Sequence, residues 1–278
     1  MTTRRARIIR AAVVQLCSGP DPTRNLERSA ALVREAHRLG ASWVLLPENF
    51  AFLGSESDKL RYAQAVEGGE FTAPLRALAR ELGIVVLAGG LPEASADPRR
   101  TFNTSVVIGR DGATLAVYRK VHLFDVDVPN GPSLRESSAT VAGDDVVVAD
   151  IDGIRVGLSI CYDVRFPELY RALVDRGSTV LTIPAAFTLQ TGKDHWEPLL
   201  RARAIESQCF VLAPAQHGHH GGERTSWGKS MIVDPWGTVL ATVPEQEGVA
   251  VATLDFDYLE RVRTRLPALT HRRLTVAP

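Results

Sequence analysis

Three residues of different chemistry stand where predicted strands end: Glu48 after Trp43–Pro47, Lys120 after Thr114–Tyr118, and Cys161 after Ile154–Ile160. A thiol becomes a strong nucleophile when a nearby cation lowers its pKa or a base takes its proton. Acyl transfer from a carboxamide also needs a proton for the departing amine and positive charge at the developing oxyanion. A carboxylate, an ammonium and a thiol cover all of these tasks without a metal or cofactor. Taken singly, each has a plainer explanation. A lone cysteine is most often a small buried hydrophobe, and a Glu or Lys at a strand end is usually a solvated rim residue. The combination is what points to chemistry.

Other sites of reaction fit less well. The sequence has no Gly-x-Ser-x-Gly elbow, no papain-type signature around a cysteine, and no Gly-x-Gly-x-x-Gly or P-loop motif for a nucleotide. His217, His219 and His220 raise a second functional class, a metal-binding or interaction protein using that histidine-rich loop. No Cys or acid sits beside them at a familiar ligand spacing, so solvated or lid histidines are the better reading and no metal is expected.

The elements that position the three residues follow from period and punctuation. Ile154, Val156, Leu158 and Ile160 alternate as a strand does, and Phe166, Leu169, Tyr170, Leu173 and Val174 carry a helical period. Pro167 suits the first turn of that helix and Gly177 its end. Cys161 therefore falls on a tight strand-to-helix turn at the carboxyl end of a strand, an edge where α/β sheets bind ligands. The backbone N–H groups of such a turn, Tyr162 among them, can face an anion. Earlier in the chain, Ile8–Val14 reads as a strand and Pro22–Leu39 as a helix, with Asp21 as N-cap and Gly40 as stop. The Thr72–Leu82 helix ends at Gly83 and leads into a buried strand, Ile84–Ala88. Asn103–Ile108 and Thr114–Tyr118 flank the hairpin signal Asp111-Gly112. From His122 to about Ala142 the chain is irregular, with Pro129, Gly131 and Pro132, and a loop this long calls for a function. Val146–Ala149 pairs with Ile154–Ile160 across Asp152-Gly153. The rest reads as a strand at Thr179–Ile183, a helix at Asp194–Ser207, strands at Cys209–Ala213, Lys229–Val233, Thr238–Thr242 and Val249–Leu254, and a helix at Tyr258–Arg265. Hairpins mixed with βαβ units predict a layered α/β fold with mixed sheets.

Composition sets the bounds. The chain has 278 residues, 45% of them hydrophobic, and no linker rich in Pro, Gly and Ser, which predicts a single domain over 1–278. Its 32 basic and 32 acidic residues cancel, and no basic stripe invites nucleic acid. Arg4, Arg5, Arg7 and Arg10 could form a short organelle-targeting arm. The apolar run after them is too broken for a signal-peptide core and too short for a membrane span. Three widely spaced cysteines, Cys17, Cys161 and Cys209, suit a reducing cytoplasm rather than a disulfide framework. Cys17 and Cys209 read as core residues.

Leu45-Leu-Pro-Glu-Asn49, Tyr118-Arg-Lys-Val-His-Leu-Phe-Asp125 and Ile160-Cys-Tyr-Asp-Val-Arg-Phe-Pro-Glu168 resemble the three signature regions of the nitrilase superfamily of carbon–nitrogen hydrolases. The resemblance spans nearly the whole chain. It implies an α-β-β-α sandwich, a catalytic Glu, Lys and Cys at Glu48, Lys120 and Cys161, and a supporting glutamate at Glu136 on the long loop. It also implies homodimers. Thr191-Gly192, His195-Trp196-Glu197, the Arg201–Cys209 stretch and Ala215-Gln-His-Gly218 resemble the amidase branch that includes deaminated glutathione amidase. Lys229 stands where that branch more often has His. The implied reaction is hydrolysis of a small carboxylate-bearing carboxamide to acid and ammonia through a thioester on Cys161. An omega-amidase acting on α-ketoglutaramate or α-ketosuccinamate is the alternative. Arg165, whose guanidinium fork suits a carboxylate, is the expected substrate anchor, with an ion pair to Glu168 as the plainer possibility. Phe187 and Thr191 are expected to line the same pocket.

Overall fold

The computed structural model describes residues 8–127, 133–222 and 224–274. Arg4, Arg5 and Arg7 of the basic arm, and Pro129, Gly131 and Pro132 of the long loop, lie outside the described residues. The first half of the chain runs β1 (Ile8–Gln15), α1 (Pro22–Arg38), β2 (Trp43–Leu45), α2 (Ala73–Leu82), β3 (Val85–Ala94), β4 (Thr101–Ile108) and β5 (Thr114–Arg119). The long segment that follows contains a ribbon of β6 (Asp125–Asp127) and β7 (Ser133–Arg135), then a 3-10 turn at Glu136–Ser138 and β8 (Thr140–Val141). The second half runs β9 (Val148–Ile151), β10 (Ile154–Leu158), α3 (Pro167–Asp175), β11 (Val180–Thr182), α4 (Leu189–Ser207) and β12 (Phe210–Ala213). It closes with β13 (His217–His219), β14 (Thr225–Trp227), β15 (Met231–Val233), β16 (Val239–Thr242), β17 (Gly248–Asp255) and α5 (Phe256–Arg265).

Two mixed sheets result. One has the order β17-β1-β2-β3-β4-β5, with β8 added beside the start of β4; the other has the order β16-β15-β12-β11-β10-β9. The inner strands β1, β2 and β3 are parallel, as are β10, β11 and β12, and the flanking pairs are antiparallel. Strand alternation sorts the side chains into layers. Val13, Trp43, Leu45, Val85 and Leu87 pack between the sheets with Val156, Leu158 and Val180. Their neighbours Val14, Val44, Leu46, Val86 and Ala88 point the other way, onto Leu32, Val33 and Ala36 of α1 and Leu75, Leu78 and Ala79 of α2. Leu169, Tyr170 and Leu173 of α3 and Trp196, Leu200 and Ala204 of α4 bury their apolar faces with the second sheet. This is the α-β-β-α sandwich, with mixed sheets. No described helix is long and apolar enough to cross a membrane.

Several boundaries differ from expectation for local reasons. The helix placed at Asp194 begins at Leu189 instead, because Gly192 and Pro198 obscure the helical pattern. Gly192 is required there: a Cβ would sit 2.4 Å from the Trp227 Cβ. β3 runs past Ala88 to Ala94 through a register shift at Gly89 and Gly90. The glycine- and histidine-rich stretch is partly ordered as β13, paired with β14. Cys209 is buried as expected, but Cys17 lies beyond β1, half-buried, with its Sγ against the His219 carbonyl at 3.5 Å.

Candidate active site

Lys120 directly follows β5, and Glu48 lies three residues beyond β2. Cys161 is placed differently from the simple strand-to-helix turn. β10 stops at Leu158, and Cys161 opens a 3-10 turn, Cys161–Arg165, that precedes α3. Its φ of +49° is left-handed, a conformation that a β-carbon makes costly and that surrounding structure must hold. The Cys161 N–H donates to the Pro184 carbonyl at 2.8 Å, which pins the turn to the end of the next strand, β11.

The fold brings Glu48, Lys120, Glu136 and Cys161 into one buried group. Lys120 Nζ donates to Glu48 Oε1 at 3.0 Å and to Glu136 Oε2 at 2.8 Å. The Asn103 amide bridges the same two carboxylates, donating to Glu48 Oε1 at 2.8 Å and Glu136 Oε1 at 3.1 Å. Glu48 Oε2 accepts the Ala186 N–H at 2.8 Å, and Glu136 Oε2 accepts that of Phe124 at 2.8 Å. Lys120 is only 2% exposed, so its charge must be compensated by these partners. Burial alone would discharge the ammonium, but Glu136 and Glu48 outweigh burial and hold it well above the usual lysine value. Burial likewise works against the Glu136 carboxylate. Lys120, then Lys59, together with the Lys120 and Phe124 hydrogen bonds, bring it down to about 2. For Cys161, burial and then the Glu48 charge push the thiol well above its usual value, while Lys120 and the Ala186 N–H offset them only in part. Burial and the Glu48 charge both favour the neutral thiol, with the Glu48 carboxylate in the same cleft.

The cleft over Cys161, about 30 Å³ in volume, is lined by these groups with Asn49, Phe124, Leu134, Ala186, Glu56, Lys59 and Arg224. Among the described residues the Tyr162 N–H has no acceptor, and its ring packs edge-on against Phe124 and Phe166 at 4.9 and 5.2 Å between centroids. Arg165, Phe187 and Thr191 do not line this cleft. Arg165 lies instead over the Phe187 ring at 5.1 Å, with Nη1 3.3 Å from His195 Nδ1. It makes no ion pair with Glu168 among the described residues. Thr191, in the first turn of α4, shares a 2.7 Å hydrogen bond with Thr188.

Four supports were not foreseen. Asn103 stands at a strand position that sequence alone gives no reason to single out, and the Ala186 N–H is invisible to side-chain motifs. The bulge at Gly89 and Gly90 lets β3 pass behind Glu48: a Cβ at Gly90 would lie 2.8 Å from Asn103 Oδ1 and 3.2 Å from Glu48 Cγ. Asp163, fully buried, is the fourth. Its Oδ2 accepts the Tyr118 hydroxyl at 2.7 Å and the Ile160 N–H at 2.8 Å, and its Oδ1 lies 2.7 Å from His122 Nδ1 and accepts the His122 N–H at 3.1 Å. One carboxylate thus ties the chain around Lys120 to the turn carrying Cys161.

The histidines do not converge. His220 Nδ1 lies 2.8 Å from the Ser18 carbonyl, and His219 Nε2 2.7 Å from that of Gly222. Among the described residues no group of three or more His, Cys, Asp or Glu is arranged to hold a metal ion. Lys229, in the left-handed region at φ +57°, offers its carbonyl to Trp196 Nε1 at 2.9 Å and its Nζ to Glu245 at 3.5 Å.

This geometry agrees with what the chain resembles. The model of the carbon–nitrogen hydrolase family matches residues 10–264. A deaminated glutathione amidase of Synechocystis sp. is 47% identical over 266 residues, covering 94% of this chain and 97% of that one. The structure of Nit3 from Saccharomyces cerevisiae, a member of branch 10 of the nitrilase superfamily, superposes with a TM-score of 0.88 at 30% identity, covering 97% of this chain and 98% of that one. An amidase from Nesterenkonia sp. AN1, 30% identical, superposes with a TM-score of 0.78 over 95% of this chain and 97% of that one. That structure is of a glutamate-to-glutamine mutant carrying the acetamide moiety of fluoroacetamide covalently on its active-site cysteine. The chain belongs to the carbon–nitrogen hydrolase family and is a hydrolase of carbon–nitrogen bonds other than peptide bonds.

Proposed function

We propose that the chain is a thiol amidase that cleaves a small carboxylate-bearing amide through a thioester on Cys161, with deaminated glutathione as substrate. The observation that carries this reading is a buried cysteine sharing one cleft with a carboxylate whose partner lysine is already shared by two glutamates. Lys120 is committed to that pair, so a resting thiolate–ammonium couple is not the starting state. Glu48 takes the Cys161 proton as sulfur attacks the amide carbonyl. Lys120 and the Tyr162 N–H hold the tetrahedral oxyanion, where the loss of one donor costs about 100-fold or more in rate. Glu48 then protonates the departing amine, leaving the thioester, and activates the water that releases the acid. Glu136 keeps Lys120 charged and oriented throughout.

With a primary amide the departing amine is ammonia. Deaminated glutathione is an α-keto diacid joined through its side-chain carboxyl to cysteinylglycine, so cleavage of that non-peptide amide releases the dipeptide. Arg165, set on the Phe187 ring near the start of α4, takes the acyl-side carboxylate, with Phe187 and Thr191 beside it. The relatives named as deaminated glutathione amidases support this substrate. The covalent adduct on the cysteine of the Nesterenkonia amidase supports the thioester.

The proposal includes a single domain acting in the cytoplasm as a homodimer. Three free cysteines suit a reducing compartment. Ile205 on α4 and Trp236 on the adjacent turn are 50% and 58% exposed, apolar surface that a second copy would cover. Amine release should be compared for deaminated glutathione, α-ketoglutaramate and a simple nitrile, with acid-quenched intact mass read in parallel. The expected result is fastest turnover of deaminated glutathione and an acyl adduct on Cys161. No turnover of that substrate, or faster turnover of the nitrile, rejects the reading.

A further inference from the structure

The cleft over Cys161 contains charged groups that the chemistry above leaves unused. Lys59, on the 3-10 turn Ser57–Tyr62, and Arg224, just ahead of β14, line it together with Glu56. Glu56 sits between the two cations, its Oε2 2.6 Å from Lys59 Nζ and its Oε1 3.3 Å from Arg224 Nη1. The cleft therefore has two electrostatic layers. Inside, Glu48 and Glu136 outnumber Lys120 and leave one negative charge; at the mouth, Lys59 and Arg224 outnumber Glu56 and leave one positive charge.

The two outer cations are not equivalent. Lys59 is 5% exposed and acts inward, on the Glu136 carboxylate. Arg224 keeps 25% of its side chain exposed, and among the described residues its side-chain hydrogen bonds are made by Nη1, to Glu56 and, at 3.5 Å, to the Gly54 carbonyl. Among the described residues its Nε and Nη2 have no acceptor. A guanidinium held on one side and open on the other is a ready fork for a carboxylate.

We infer that Arg224, held in place by Glu56, determines specificity by binding a carboxylate on the amine side of the substrate. This rests on the reading proposed above. An amide joining an α-keto diacid to a dipeptide ends in a carboxylate in both directions, and Arg165, proposed for the acyl side, is not part of this lining. A primary amide such as α-ketoglutaramate has nothing to offer at this position. The mouth of the cleft is thus where a substrate with a peptide leaving group is told from one without.

The test compares two substrates: deaminated glutathione, and its analogue in which the terminal glycine carboxylate is a carboxamide. The ratio of their kcat/KM values is measured for the wild type, Arg224→Gln and Arg224→Lys. In the wild type the carboxylate form is preferred by about ten- to hundred-fold, the range expected of a charge-assisted pair. Arg224→Gln loses most of that preference, chiefly through KM, and Arg224→Lys keeps part of it by supplying charge without the fork. A residue that only propped the loop would slow both substrates alike and leave the ratio unchanged, and that result overturns the inference. A wild type that turns over deaminated glutathione without preferring its carboxylate removes the Arg224 subsite alone, even if the Gln variant fails to fold. A wild type that does not turn it over removes both the subsite and the substrate reading.

Discussion

The group around Cys161 and the group around Arg165 are adjacent in the chain but built to different standards. Glu48, Lys120, Glu136 and Cys161 are each less than a tenth exposed, and the two carboxylates are tied by Lys120, Asn103 and backbone N–H groups. Arg165, by contrast, is half-buried and rests on one ring face and one long contact to His195. The first arrangement suits charges that must not move while bonds change, because preorganised dipoles in a dry site need no reorganisation. The second suits a side chain that settles only when a ligand arrives. On the proposed reading, chemistry is fixed and recognition adaptable, and the two should be separable by mutation.

The sharpest break comes at the sulfur. Cys161→Ala should lower turnover by at least about 10⁴-fold, as removal of a nucleophile does, with substrate binding retained in calorimetry. Glu136→Gln leaves Lys120 with one carboxylate and should cost about 100-fold in kcat with little change in KM, measured by amine release. Gly90→Ala presses a methyl onto Asn103 and Glu48. It should lower kcat about tenfold or more and destabilise by about 1–3 kcal/mol in urea. Arg165→Lys keeps the charge but loses the fork, so KM for an acidic substrate should rise about tenfold with kcat almost untouched. An equal fall in kcat would show that the two groups are not separable.

The smallest effect is in stability against pH. The folded protein keeps Glu136 charged down to about 2, whereas its ordinary value is 4.5. The unfolded chain therefore takes up the proton first. The contribution is fully present above the ordinary value and is lost as pH falls from there through about 2. Denaturation midpoints taken across that window should fall for the wild type and less steeply for Glu136→Gln.

Glu48, Lys120 and Cys161 were legible because strand period placed them at strand ends and their chemistries were complementary. Glu136 was legible only through the resemblance, since nothing in a long loop's composition says which of its acids turns inward. Asn103, the Ala186 N–H and the Gly89–Gly90 bulge depend on how β3 passes behind Glu48, a proximity that no local pattern encodes. Asp163 reads in sequence like an ordinary acid on the turn between a strand and a helix. The early start of α4 was hidden by Gly192, which is present to admit Trp227 rather than to end a helix. Arg165 was foreseen as a residue of interest, but its seat on Phe187 beside His195 is a tertiary contact that sequence spacing does not encode.

Asp163 joins the tail of an edge strand of one sheet to the turn after an inner strand of the other, from a position without solvent. The two halves of the sandwich cannot slide apart without stripping that carboxylate of its donors, nor can Lys120 and Cys161 separate while it keeps them. Loss of activity on heating and loss of the tertiary fold should therefore coincide, which parallel activity and near-UV circular dichroism melts would check. The candidate centre is also a clasp between the two layers.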